Sequence, residues 1–145
     1  MTDPLVFRCA SCGGLNRVRQ DRLSSQPTCG KCRAAIDLAA HPVDLSDDAL
    51  ERLVRSSPVP VLVDFWAPWC GPCRAVAPHL ESLGKAQAGK LIIAKVNTDT
   101  HKRTAGALNV QAIPTMAVYK GGALQISQPG ARMGAQLRAF VAPYL

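Results

Sequence analysis

The stretch VDFWAPWCGPCRAVAP, residues 63–78, decides the fold. It joins the run VPVLVDFW (59–66) to CGPCRAVAPHLESLGKA (70–86). The first segment is short and almost continuously apolar, as expected of a strand covered on both faces. The second reads as a helix with Pro72 in its first turn, where a missing N–H is no loss. Cys70 and Cys73 stand at the join. A cysteine at a helix mouth meets backbone N–H groups that have no intrahelical partner and carry partial positive charge. Those groups favour thiolate over thiol, so the Cys70 pKa is expected to fall and Cys70 to act as a nucleophile. Cys73, one turn on, shares its face, and a disulfide between the two can open and close with little backbone movement. Gly71 presents no side chain to an approaching protein, Pro72 stiffens the ring, and Pro78 is expected to kink the helix.

Asp64 is the odd residue in its strand. Buried among VLV and FW it would be costly to ionise, so its pKa is expected to rise. Beneath the helix it would then be suited to accept and return the proton of Cys73. Strand alternation offers the other reading, an ordinary acid turned to solvent.

Outward from this centre, helix and strand patterns alternate. SDDALERLVRSS (46–57) has Ser46 as N-cap and places Leu50, Leu53 and Val54 on one face. KLIIAKVN (90–97) is a second buried strand, and HKRTAGALNV (101–110) a short helix or turn. TMAVYK (115–120) and ALQIS (123–127) flank Gly121 and Gly122, a hairpin signal. In the closing segment, Met133, Leu137, Phe140 and Val141 fall on one helical face. Parallel crossovers followed by an antiparallel hairpin predict an α/β fold with one mixed central sheet flanked by helices.

Residues 1–40 are of another kind, with little periodicity and four cysteines in the pairs CASC (9–12) and CGKC (29–32). So short a segment cannot bury a sufficient core unaided. Two CxxC turns at this spacing fit a tetrathiolate site of Cys9, Cys12, Cys29 and Cys32, with zinc as the default metal and a rubredoxin-like iron as runner-up. Gly13 and Gly30 are expected to let backbone amides approach the sulfurs. Two further redox disulfides are a third reading. His41 reads as a surface residue. Pro42, within AAHPVD (39–44), marks the join, giving a zinc-binding module at 1–40 and a larger domain at 41–145.

Composition narrows the functional classes. The chain has 145 residues, 48% of them apolar, and a formal net charge of +7. The positive residues are scattered, so a solvated basic surface is expected rather than a nucleic-acid site. No apolar run is long enough to span a membrane. The opening MTDPLVFRCASC does not read as a secretory signal, so a cytoplasmic protein with reduced thiols is expected, and a six-cysteine disulfide scaffold is not.

VDFWAPWCGPC closely resembles the thioredoxin family. The resemblance extends through AKVNTD (94–99), AIPTMAVYKGG (112–122) and PGA (129–131), covering about residues 44–145. It implies a thioredoxin fold in which Cys70 attacks a substrate disulfide and Cys73 resolves the mixed disulfide. It implies that Trp69 shapes the surface beside Cys70, that Asp64 is the family's buried acid, and that Lys95 is its nearby lysine. Pro114 matches the cis-proline whose neighbouring backbone pairs with substrate. A trans strand-start proline and an exposed strand lysine are the plainer readings of Pro114 and Lys95. Arg132 after PGA and Arg74 after CGPC depart from the common pattern. With the four-cysteine segment in front, the whole chain resembles the bacterial thioredoxin 2 type. That resemblance implies a monomeric protein-disulfide reductase acting on disulfide-containing proteins, recharged by an NADPH-dependent flavoprotein thioredoxin reductase. A zinc-regulated holdase or binding module, or a disulfide isomerase, are the alternatives.

Overall fold

The computed structural model describes residues 4–145. Its centre is β4 (Val61–Trp66), whose first five residues are buried. It pairs in parallel with β5 (Ile92–Asn97) on one side and antiparallel with β6 (Thr115–Lys120) on the other. β3 (Val43–Asp44) adds in parallel at the β5 edge, and β7 (Ala123–Pro129) closes the β6 edge as a hairpin. The five-stranded order is β3-β5-β4-β6-β7. The mixed sheet and its hairpin match the sequence expectation. β3 does not: two residues next to Pro42, expected only as a join, form an edge strand too short to show periodicity.

Helices cover both faces, which is why β4 is apolar apart from Asp64. Val61, Val63 and Phe65 join a core with Leu50 and Leu53 of α1 (Asp47–Ser56) and Ala105 of α3 (Arg103–Ala107). Leu62 joins the opposite core, with Val76, Leu80 and Leu83 of α2 (Gly71–Ala86) and Leu137 and Val141 of α4 (Ala135–Val141). Since strand side chains alternate, Asp64 falls on the Leu62 face, the one covered by α2. α1 is capped as expected, Ser46 Oγ accepting the Ala49 N–H at 3.1 Å. α2 continues through Pro78, which lies on its exposed side. Met133 departs from the expected face. It precedes α4, whose N-cap is Gly134 at φ +53°, and it is exposed.

Residues 5–18 form an antiparallel ribbon of β1 (Leu5–Arg8) and β2 (Leu15–Val18). A 3-10 turn at Gln20–Ser25 and a bridge between Thr28 and Ala35 follow. The ribbon is built into the larger body. The Val6 N–H donates to the Gly89 carbonyl at 2.9 Å, between α2 and β5, and Val6 enters the α1-face core. Leu5, Phe7, Val18 and Ile36 make a third cluster, against which Leu38, Ala40 and Ala88 pack. The first three residues of the expected 1–40 module lie outside the described residues. No helix among the described residues is long and apolar enough to cross a membrane.

Candidate functional site

Cys70 is the N-cap of α2, and its Sγ accepts the Cys73 N–H at 3.2 Å. The polar start of the helix is thus aimed at this sulfur. Cys70 and Cys73 are joined as a disulfide, with Cα atoms 5.2 Å apart, and both residues are nearly buried. Cys70 Sγ also lies 3.8 Å from the Ile113 carbonyl oxygen. The following peptide bond, Ile113–Pro114, is cis, and Pro114 is buried at the start of β6. Pro72 occupies the first turn of α2. A Cβ built on Gly71 would meet nothing within 4 Å, so this glycine faces open space and serves no internal packing.

Trp69 is 68% exposed beside the disulfide. Its indole N–H is shared between the two Asp99 carboxylate oxygens, at 3.2 and 3.1 Å. Sequence reasoning missed Asp99. It lies thirty residues further along the chain, and only the placement of the loop after β5 brings it to the tryptophan.

Asp64 is 1% exposed, and both of its carboxylate oxygens lack a hydrogen-bond partner within the protein. Burial pushes its carboxyl up to about 7. Lys95 opposes the rise and Asp44 adds to it. Lys95 stands opposite Asp64 across the β4–β5 pairing, but its ammonium lies 4.2 Å from the centroid of the Trp66 ring. Trp66 in turn donates to Asp44 Oδ1 at 3.1 Å. Lys95 therefore acts on Asp64 through space, while its own contact is a cation–π pair. The structure thus brings Asp64, Trp69, Cys70, Gly71, Pro72, Cys73, Lys95 and Pro114 to one end of the sheet.

The four remaining cysteines gather elsewhere. The sulfurs of Cys9, Cys12, Cys29 and Cys32 all lie within 4.8 Å of one another. The shortest separations run between the two turns, Cys9 to Cys32 at 3.5 Å and Cys12 to Cys29 at 3.6 Å. Tetrahedral zinc–thiolate bonds of about 2.3 Å imply sulfur–sulfur edges of about 3.8 Å, so the set fits one such ion. Both turns are the same structure. The Cys9 N–H donates to the Gly14 carbonyl and Gly13 N–H to the Cys9 carbonyl, and Cys29 repeats this with Ala34 and Arg33. Backbone N–H groups of Cys12, Gly14 and Lys31 point at sulfurs at 3.4–3.5 Å. Such donors hold the Cys9 and Cys29 thiols below their ordinary pKa.

The glycine expectation needs correction. The left-handed position of the first turn is Gly13 (φ +79°), but its counterpart is Arg33 (φ +69°), not Gly30. Gly30 instead donates its N–H to Asn16 Oδ1 at 3.0 Å, while Asn16 Nδ2 reaches the Gly14 carbonyl. Asn16 ties the two turns together and carries no signal in the cysteine spacing. His41 lies outside the sulfur cluster, exposed, with Nδ1 2.8 Å from Asp37, which raises the imidazole pKa.

Comparison with known proteins parallels this division. The family model described as Thioredoxin matches residues 41–143, and the one described as Thioredoxin 2, N-terminal matches residues 8–34. Thioredoxin C-3 of Corynebacterium nephridii is 39% identical over 114 residues, covering 79% of this chain and 77% of the relative. The thioredoxin of Acidithiobacillus ferridurans is 44% identical over 97 residues, 67% of this chain and 90% of the relative. That of Haemophilus influenzae is 41% identical over 97 residues, 67% and 91% of the two chains.

Proposed function

The chain belongs to the thioredoxin family of disulfide oxidoreductases, and on that premise we propose that it reduces protein disulfides through Cys70 and Cys73. The observation that carries this reading is the disulfide at the mouth of α2, with Cys70 Sγ facing a helix N–H.

In the reduced protein, the Cys70 thiolate attacks one sulfur of a substrate disulfide. The substrate S–S bond breaks, a mixed disulfide forms, and the leaving sulfur takes a proton. Cys73 then gives up its proton and attacks Cys70 Sγ. The Cys70–Cys73 bond forms and the second substrate sulfur leaves as a thiol, so two electrons have passed to the substrate. Asp64, with its carboxyl near 7 on the α2 face of the sheet, serves as proton acceptor for Cys73 at neutral pH. Lys95 tunes that carboxyl. The cis Ile113–Pro114 segment and Trp69 form the surface on which an extended substrate segment lies. An NADPH-dependent flavoprotein thioredoxin reductase restores the dithiol.

Residues 1–40 form the second functional unit, followed by the catalytic domain at 41–145. Cys9, Cys12, Cys29 and Cys32 would hold one zinc ion, supported by the sulfur separations and the repeated turn. Zinc supplies a redox-inert charge that binds four thiolates and stabilises the segment's fold. Thiolates retained for metal fit a reducing compartment, so we assign the protein to the cytoplasm.

Insulin reduction coupled to thioredoxin reductase and NADPH tests the reading. Wild type turns over and Cys70→Ser is inactive. Cys73→Ser is also inactive, but accumulates mixed disulfides through Cys70. Undiminished turnover by Cys70→Ser would overturn the assignment.

A further inference from the structure

Two guanidinium groups are held on backbone segments that frame Cys70. Arg74 sits one turn along α2, exposed, with Nη1 3.5 Å from the carbonyl of Pro68, two residues before Cys70. Arg132 follows β7. Its Nη1 lies 3.4 and 3.3 Å from the Pro129 and Gly130 carbonyls, and its guanidinium stands 4.6 Å over the Phe140 ring. The Gly130 N–H donates to the Pro114 carbonyl at 2.9 Å, and the residue before Pro114 turns its carbonyl to Cys70 Sγ. Neither arginine meets a carboxylate among the described residues. Lys102 lines the groove beside Trp69 as a third cation. Asp99, which accepts the Trp69 indole N–H, is an acid on the same side as Lys102.

An arginine already held by carbonyls and a ring loses little further freedom when it meets an anion. Charges at the rim of a docking surface act mainly on encounter rate and on the choice of partner. We propose that this rim selects acidic substrates: disulfides whose flanking segment carries Asp or Glu, with Arg132 the main selector and Arg74 the second. The inference rests on the disulfide-exchange reading above. Its rival is that the arginines only favour the Cys70 thiolate, which would quicken attack on every disulfide alike.

Three peptides separate the two. Each has the same single disulfide, flanked by two Glu, two Gln or two Lys. The reduced full-length protein is mixed with each, and the second-order rate is followed by tryptophan fluorescence. Wild type should favour the Glu over the Lys peptide by roughly tenfold at low ionic strength, and the ratio should collapse in about 0.5 M salt. Arg132→Leu and Arg74→Gln should each lower that ratio about threefold, and Arg132→Glu, a change of two charges, should bring it close to one. Arg22→Gln, a surface arginine in the cysteine-rich segment, should leave it unchanged. Equal wild-type rates on all three peptides would overturn the proposal. So would variants that slow all three in proportion, since they assign the arginines to the thiolate. A wild type that reduces neither the peptides nor a small neutral disulfide would refute disulfide exchange itself.

Discussion

Asp64 carries the clearest linkage between stability and chemistry. Its carboxyl stands near 7 in the folded protein against about 3.8 otherwise, because burial disfavours the charged form. The fold therefore favours the protonated acid. The part of the stability that this group controls is full below about pH 4, falls between about pH 4 and 7, and is flat above. About three pH units of displacement correspond to at most about 4 kcal/mol. Asp64→Asn should match wild type at pH 4 and exceed it at pH 8 by a few kcal/mol, as read from urea unfolding of the oxidised protein. The same variant should slow turnover at pH 7 by roughly tenfold or more, by removing the proposed proton acceptor. An unchanged difference between pH 4 and pH 8 would show that Asp64 stays ionised in the fold. This residue was legible in the sequence because an acid inside an apolar strand breaks a pattern. Asp47 was not. It reads as a first-turn acid of α1, but its carboxylate accepts the N–H groups of Arg103 and Thr104, starting a five-residue helix 56 positions away. Asp47→Ala should cost about 1–2 kcal/mol, the usual loss of a helix cap, measurable in the same unfolding experiment.

At the scale of elements, the sheet could be read because its central strands are long enough to show continuous burial and its hairpin is marked by paired glycines. What the sequence hid is how the cysteine-rich ribbon joins the sheet, since docking depends on backbone approach rather than on side-chain pattern. A Cβ on Gly84 of α2 would stand 2.6 Å from the Ala40 carbonyl oxygen. One on Gly89 (φ +84°) would stand 2.3 Å from Leu5 Cβ. In the sequence the two look like a weak point in a helix and an ordinary turn. Gly89→Ala combines left-handed strain with an overlap that rigid backbone cannot relieve. It should destabilise the full chain by at least about 2 kcal/mol and expose the ribbon to proteolysis. Gly106→Ala is the control. That helical glycine faces open space with ordinary φ, so alanine there should be neutral or stabilising by up to about 1 kcal/mol. If both variants melt alike, the ribbon is not held at Gly89.

Across the whole molecule, the cysteine-rich segment meets α2 at the end far from Cys70. Cys70 caps its start, and Gly84 near its end meets Ala40 of that segment, about 21 Å away along the helix axis. A contact made at that end of the helix has no direct electrostatic hold on the Cys70 sulfur in ordinary salt. The ribbon nevertheless shares a core with the catalytic sheet. Val6 is buried among Leu50, Leu53, Val61 and Ile92, and Leu15 packs against the same cluster. A segment whose folding free energy comes from its metal should release both side chains when the metal is removed. Burial of a valine-sized side chain is worth about 1.5–3 kcal/mol, and a chain of this size shifts by about 2–4 °C per kcal/mol. Stripping the proposed zinc from the full-length protein with a strong chelator should therefore lower the melting of the sheet by about 3–12 °C from the release of Val6 alone. Insulin reduction at 25 °C should persist, since the Cys70 end of α2 is untouched. Fluorescence of Trp66, on the central strand, reports the sheet. Near-identical melting with and without metal would mean that the ribbon hangs on the domain without bracing it. Loss of reduction at 25 °C would mean that the ribbon's state reaches Cys70 through the helix.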